Sequence, residues 1–191
     1  MPYNDGFSFE DPIVEEIRHP HMNYPGYNVT TIACLGQTRT TVRMDLGVGD
    51  QVVPEKKSLT LLSLNNKPLF ESEISVQVYP LPYIFAEKPE AIAYRGGTNS
   101  RMKDFYDILT IAELTDFSLR AGTPVVRAVF DHRQTPLPRK MSYDRQAINT
   151  LSRGWKRFIG TLEDEFTKKV PKEFTEVSAK INDLLHALVQ E

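Results

Sequence analysis

The chain holds a single cysteine, Cys34, in 191 residues. No internal disulfide can form, so the fold must be held by a core. A reducing compartment such as the cytoplasm fits that usage. A lone cysteine in an apolar run reads as a small core residue. Long apolar runs are also missing. No stretch approaches the roughly 18 continuous apolar residues of a membrane span, which argues against a helical membrane protein. Residues 1–6 have neither a basic start nor an apolar segment, so no secretory signal is expected. Strong charge of one sign is absent too: 23 basic and 25 acidic residues leave a net charge near −2. The whole molecule is therefore no electrostatic magnet for nucleic acid, and any such contact needs a local basic patch. There is no nucleophile elbow, phosphate-binding Walker loop, CxxC pair or internal repeat.

What is present reads as an ordinary globular protein, 40% hydrophobic and 25% charged. The first half carries strand patterns. Val29 to Leu35 is rich in β-branched residues, and Gly36-Gln37 supplies a tight turn with glycine where φ can be positive. In Thr38 to Val48, the apolar Val42, Met44, Leu46 and Val48 alternate with Thr41, Arg43, Asp45 and Gly47. That period of two predicts one face on a core and one polar face. Ile74, Val76 and Val78 form another alternating strand, ended by Tyr79-Pro80-Leu81-Pro82.

The second half is helical. A helix capped by Asn99 or Ser100 is expected to run to about Leu114, with Met102, Phe105, Leu109 and Ala112 on one face. Thr123 to His132 reads as a short helix with Pro124 in its first turn, and Thr135 to Pro138 as a loop. Ser142 is the expected cap of a helix carrying Ile148, Leu151, Trp155 and Phe158. A final helix holds Phe174, Val177, Ile181, Leu184, Leu185 and Leu188. The composition shift near Pro82 divides a sheet part, residues 1–81, from a helical part, residues 82–191. The fold class is α+β.

Four clusters hold chemistry-bearing residues. Asp45 lies on the polar face of its strand, and a carboxylate fixed on a strand is a rigid oxygen ligand for Mg²⁺. A solvated aspartate on an exposed sheet satisfies the same pattern. Lys88, in Ala86-Glu87-Lys88-Pro89-Glu90, is placed near a helix start, where an ammonium can meet a triphosphate. Exposed Lys–Glu pairs give the same string. In Arg101-Met102-Lys103-Asp104-Phe105-Tyr106-Asp107, Asp104 falls at the edge of the apolar arc, a half-buried position. Asp107 falls further out, as a surface partner of Lys103. An amphipathic helix with a charged back is the plain alternative. His19 and His21 have no thiol or acidic partner at metal spacing and read as a surface loop. His132 and His186 stand apart in the sequence.

Taken in order, these clusters resemble the AbiEii/AbiGii toxin family of nucleotidyltransferases. The likeness runs from Val42-Arg43-Met44-Asp45-Leu46-Gly47-Val48-Gly49-Asp50, through Tyr79-Pro80 and Ala86-Glu87-Lys88, to Asn99-Ser100-Arg101-Met102-Lys103-Asp104-Phe105-Tyr106-Asp107-Ile108. Phe130 to Pro138 and the Trp155 helix extend it, and the Arg-Met-Lys-Asp-Phe-Tyr-Asp run is its most specific piece. The resemblance implies a DNA-polymerase-β-like mixed sheet followed by a helical bundle. It implies transfer of a nucleotide from a nucleoside triphosphate with Mg²⁺, in some relatives to the end of a tRNA, and an antitoxin partner in phage-defence operons. By matching position Asp45 would be a metal-site carboxylate and Lys88 a phosphate contact. Asp104 and Asp107 would form the last motif, with Arg43, Arg101 and Lys103 around the nucleotide.

The family pattern opens with a Gly-rich segment ending Ser-x-Asp-Leu-Asp. Residues 1–12, whose acidic members are Asp5, Glu10 and Asp11, do not match it, so the chain is expected to begin just downstream. A sheet without that segment has an unpaired edge and an uncovered apolar face, and both favour a homo-oligomer. The same features suit a different class of function: a non-catalytic remnant that binds a protein partner such as an antitoxin.

Overall fold

The computed structural model describes residues 6–18, 25–49, 52–59, 63–65, 67–68, 74–114 and 117–190. Asp5, His19, His21 and Asp50 lie outside the described residues. The chain is α+β, with all described strands before residue 79 and helices from residue 81. It forms two compact units, Met1–Gln51 and Val52–Glu191.

The first unit is an antiparallel sheet of β1 (Phe7–Phe9), β2 (Ile13–Ile17), β3 (Gly26–Leu35) and β4 (Thr38–Gly47). Leu35 pairs with Thr38 across Gly36-Gln37, and Gly36 has φ 58°. Positive φ at the first central residue is the type II′ geometry that matches strand twist and favours glycine. β4 pairs β3 along its whole length, so β1 and β2 share the other edge of β3, opposite 33–35 and 26–30. Registers assign the faces. Phe7, Phe9, Val14, Val29, Leu35, Val42, Met44 and Leu46 share one, and Ser8, Asn28, Thr30, Arg39, Arg43 and Asp45 the other.

The alternation is as expected, but the core beneath it is not. Met44, Leu46 and Val48 are 45–50% exposed and Phe9 is 64% exposed, and Val29 alone among the eight is buried. Alternation reports that one face is apolar, not that something covers it. Cys34 is likewise only half-buried, because its side chain lies on the polar face opposite Arg39.

The second unit opens with two strand pairs, β5 (Glu55–Leu59) with β8 (Ile74–Val78) and β6 (Ser63–Leu64) with β7 (Lys67–Pro68). Helices follow: α1 (Leu81–Arg95), a 3-10 turn (Gly96–Thr98), α2 (Met102–Ala112), α3 (Leu119–His132), α4 (Arg145–Ile159), α5 (Asp164–Thr167) and α6 (Phe174–Gln190). α1 packs on α2 and α3, and α6 packs on α2, α3 and α4. The core between them is built on Phe85, Phe105, Ile108, Phe130, Leu151, Trp155 and Phe174. The Phe105 and Phe174 rings meet edge to face at 5.1 Å, a favoured aromatic geometry.

Helix starts differ from the expectations in three places. α2 begins at Met102 with Arg101 as N-cap and no side-chain cap, while Asn99 Oδ1 accepts the Arg101 N–H at 2.8 Å, just before the helix. α3 begins four residues earlier than Thr123. Ser118 accepts from the Ala121 N–H, and Pro124 sits inside the helix. α4 is capped by Asp144, whose Oδ1 accepts the Ala147 N–H at 2.7 Å, and not by Ser142. A carboxylate is at least as good an N-cap as a hydroxyl. α1 runs unbroken through Pro89, which is buried inside it. That places Lys88 in mid-helix, not near the start.

Candidate functional site

Hydrophobic spacing positions the charged cluster of the second unit. Met102, Phe105, Ile108 and Leu109 anchor α2 in the core, which brings Asp104 and Asp107 against α1. Lys88 Nζ reaches across from α1 to Asp104 Oδ1 at 3.2 Å and Asp107 Oδ2 at 3.3 Å. Arg101 Nε lies 3.2 Å from Asp104 Oδ2. Lys103 Nζ donates to both oxygens of Asp107, at 2.8 and 2.7 Å. Asp104 is 2% exposed, more deeply buried than its place at the edge of the apolar arc suggests. It also sits in the first turn of α2, where the helix dipole favours a carboxylate. Asp107 pairs with Lys103 as expected, but the contact with Lys88 draws it partly inside.

The cluster sets the cations Lys88, Arg101 and Lys103 against two carboxylates, a net charge of +1. Arg101 and Lys103 are its exposed members and Lys88 its half-buried one. Arg101 approaches Asp104 Oδ2 within ion-pair distance without aiming an N–H at it, so this buried oxygen lacks a hydrogen bond among the described residues. Beside the cluster, burial raises the Tyr106 hydroxyl pKa above its usual 10.0, and the Asp107 carboxylate adds to the effect.

Asp45 belongs to the first unit. It lies on the polar face of β4 opposite Asn28, whose Nδ2 donates to Oδ1 at 2.8 Å. Arg43 is on the same face, opposite Thr30. The structure thus brings together Lys88, Arg101, Lys103, Asp104 and Asp107, and separately Arg43 and Asp45.

Among the described residues no three His, Cys, Asp or Glu side chains form a metal-binding group. Asp104 and Asp107 do not fit Mg²⁺, because the Lys88 ammonium already stands between them and Arg101 flanks the open oxygen. Asp45 fits better. No cation pairs with it among the described residues, and Mg²⁺ is commonly held by one or two carboxylates together with substrate phosphates.

A second network, centred on a fully buried carboxylate, escaped the sequence reading. Glu90 in α1 is 0% exposed. Its Oε2 accepts from Arg133 Nη1 at 2.8 Å and its Oε1 from the Thr135 hydroxyl at 2.6 Å. Arg133 Nη2 also lies 3.4 Å from Glu87 Oε1, and Glu87 accepts from the Tyr79 hydroxyl. Arg133 and Thr135 are presented by the end of α3. The Thr135 N–H bonds the Phe130 carbonyl and the Gln134 N–H the Asp131 carbonyl, with Gln134 at φ 55°. This is a Schellman cap with glutamine in the left-handed position that usually takes glycine. The signal in the sequence was the phase of Glu90, which shares the buried arc of α1 with Ala86, Pro89 and Phe85. A carboxylate there requires a buried cation.

No curated protein matches the chain. A family model described as "Nucleotidyl transferase AbiEii toxin, Type IV TA system" matches residues 1–180. That match takes in both charged clusters and the buried network, and the chain belongs to the AbiEii nucleotidyl transferase toxin family of type IV toxin–antitoxin systems.

Proposed function

We propose that the chain transfers a nucleotide from a nucleoside triphosphate to an acceptor, with the end of a tRNA as the acceptor class. The observation that carries this reading is the half-buried Lys88, held between Asp104 and Asp107 in a cluster of net positive charge. An ammonium fixed in this way is a pre-oriented point charge for a phosphate. Arg101 and Lys103 offer exposed cationic tips to the same ligand. Asp104 and Asp107 position Lys88, and Arg43 adds a cation beside Asp45 on the sheet. Asp45 is the carboxylate that would hold Mg²⁺, an ion that neutralises charge on a transferred phosphoryl group. An antitoxin encoded with the toxin is the expected protein partner.

Labelled nucleoside triphosphates, Mg²⁺ and a tRNA pool test the reading. Transfer by the native chain is expected, with Lys88→Ala lowering the rate on the order of 10²-fold, the usual loss when one fixed electrostatic contact is removed. Unchanged transfer by Lys88→Ala removes Lys88 from the site. The exposed apolar sheet face, with Phe7, Phe9, Leu35, Met44 and Leu46, favours a second reading as a protein-binding module. Antitoxin capture without any nucleotide transfer would establish that reading instead.

A further inference from the structure

We propose that β4 is the surface through which two copies of the chain associate, pairing antiparallel about a two-fold axis at Val42. Among the described residues β4 pairs with β3 alone, in ten consecutive register pairs without a bulge or proline. The hairpin fixes which of its backbone groups are free. The two-residue turn makes Leu35 and Thr38 a hydrogen-bonded pair. In an antiparallel ladder such pairs alternate, so 38, 40, 42, 44 and 46 bond to β3 and 39, 41, 43, 45 and 47 point their N–H and C=O groups outward. The Glu10 N–H bond to the Ile32 carbonyl shows the same phase on the far edge of β3. An unblocked edge of this length is a template for another strand.

Sequence and register choose the partner and its alignment. A two-fold axis normal to the sheet pairs residues of equal parity, so two alignments engage nine residues. Centring on Arg43 sets Arg43 against the partner's Arg43, like charges directly opposite. Centring on Val42 sets Arg39 against the partner's Asp45, and the reverse, with Thr41 against the partner's Arg43. The outward residues 39, 41, 43 and 45 then all bond one another. On the apolar face Val42 meets the partner's Val42, and the exposed Met44 and Leu46 gain the partner's Thr40 and Thr38 as neighbours. Charged edge residues ordinarily discourage pairing. Here Arg39 and Asp45 are spaced so that each lies across from an opposite charge on the second copy, with Arg39 also held by Glu10 of its own chain.

The inference does not depend on nucleotidyl transfer and is tested without Mg²⁺ or nucleotide. Sedimentation of the full chain at micromolar concentration is expected to give a dimer. Thr41→Pro removes only an outward N–H and should give a monomer with an unchanged circular-dichroism spectrum. A folded Thr41→Pro chain that remains dimeric overturns the proposal, as does a monomeric native chain. A second measurement is independent of how that proline is tolerated. Val42 would face its counterpart across a non-hydrogen-bonded pair with Cα atoms about 4.5 Å apart, within disulfide range. Val42→Cys in a Cys34→Ser chain should therefore cross-link on mild oxidation, whereas Arg43→Cys should not. Linkage at 43 in place of 42 overturns the register.

Discussion

Replacing Arg133 by methionine removes the cation that faces Glu90 among the described residues while keeping a side chain of similar length. Glu90 is fully buried, with Arg133 Nη1 at 2.8 Å and Thr135 Oγ1 at 2.6 Å. Without Arg133 its carboxylate keeps one neutral hydroxyl. Breaking a buried ion pair from one side costs about 3–5 kcal/mol, a large part of the roughly 5–15 kcal/mol that holds a domain folded. Glu90→Leu should cost less, because Arg133 keeps Glu87 at 3.4 Å, on a side chain 26% exposed. The double variant Glu90→Leu/Arg133→Met should fall within about 1 kcal/mol of the native chain or exceed it, since apolar replacement of a whole buried pair also removes its desolvation cost. Urea titration followed by fluorescence reads this directly: Trp155 is the single tryptophan, is 1% exposed, and donates to the Pro171 carbonyl. A loss below about 1 kcal/mol in Arg133→Met, or a double variant equal to the sum of the singles, would refute the idea that the pair acts as one buried unit.

Two further outcomes follow from individual contacts. Burial pushes the Tyr143 hydroxyl up from 10.0 to about 12, so the unfolded chain ionises first. The contribution is fully present below pH 10 and is lost as pH rises through about 12. Tyr143→Phe should flatten that loss in denaturation curves at alkaline pH. It should cost little at neutral pH, because no described residue hydrogen-bonds the hydroxyl; an unaltered alkaline slope contradicts the assignment. A Cβ added at Gly97 would stand 2.5 Å from Ala147 Cβ. Gly97→Ala should thus lose about 1–3 kcal/mol as the 3-10 turn and α4 are forced apart. Ala147→Gly in the same chain should recover part of it, and no recovery in thermal melts would place the strain elsewhere.

Much of the local structure was legible because it depends on neighbours in sequence. The β3–β4 turn needed only a glycine able to take φ 58°, and the apolar stripe of α6, with Phe174, Val177, Ile181 and Leu185 buried, needed only the helical period. The Lys103–Asp107 pair was legible for the same reason, at i,i+4. Errors came where a distant or competing contact decides. Pro124 suggested a helix start, yet Ser118 supplies a side-chain cap and the helix carries the proline inside. Asn99 and Ser100 looked like caps, but the Asn99 side chain closes a turn one residue ahead of the helix. The burial of Glu90 rests on Arg133, 43 residues away. No local pattern contains that pairing; only the mismatch between a carboxylate and an apolar arc hints at it. The sheet of the first unit shows the same limit, since a period of two names the apolar face but not its cover.

The two charged networks meet on α1, and their arrangement gives the helix a role beyond packing. At 100° per residue Glu87 and Glu90 lie 60° apart on one flank, and Lys88 lies 100° from the first and 160° from the second. One flank is tied to the end of α3 through Arg133, the other to α2 through Asp104 and Asp107. Pro89, between them, cannot donate the backbone hydrogen bond that would stiffen this turn. Side-chain ion pairs therefore fix the azimuth of α1 where the backbone is weakest, and Lys88 takes its place between the two aspartates from that azimuth. A buried ion pair contributes little net stability compared with apolar residues of the same volume, but it can specify one arrangement over others. Here the arrangement specified is the one that aims Lys88. The apolar double variant at Glu90 and Arg133 separates the two effects: stability should be kept, while the proposed Lys88-dependent nucleotide transfer should fall because α1 loses the ion pairs on one flank that fix its azimuth. Transfer at the native rate in that variant would show that the α2 carboxylates alone hold Lys88 in position.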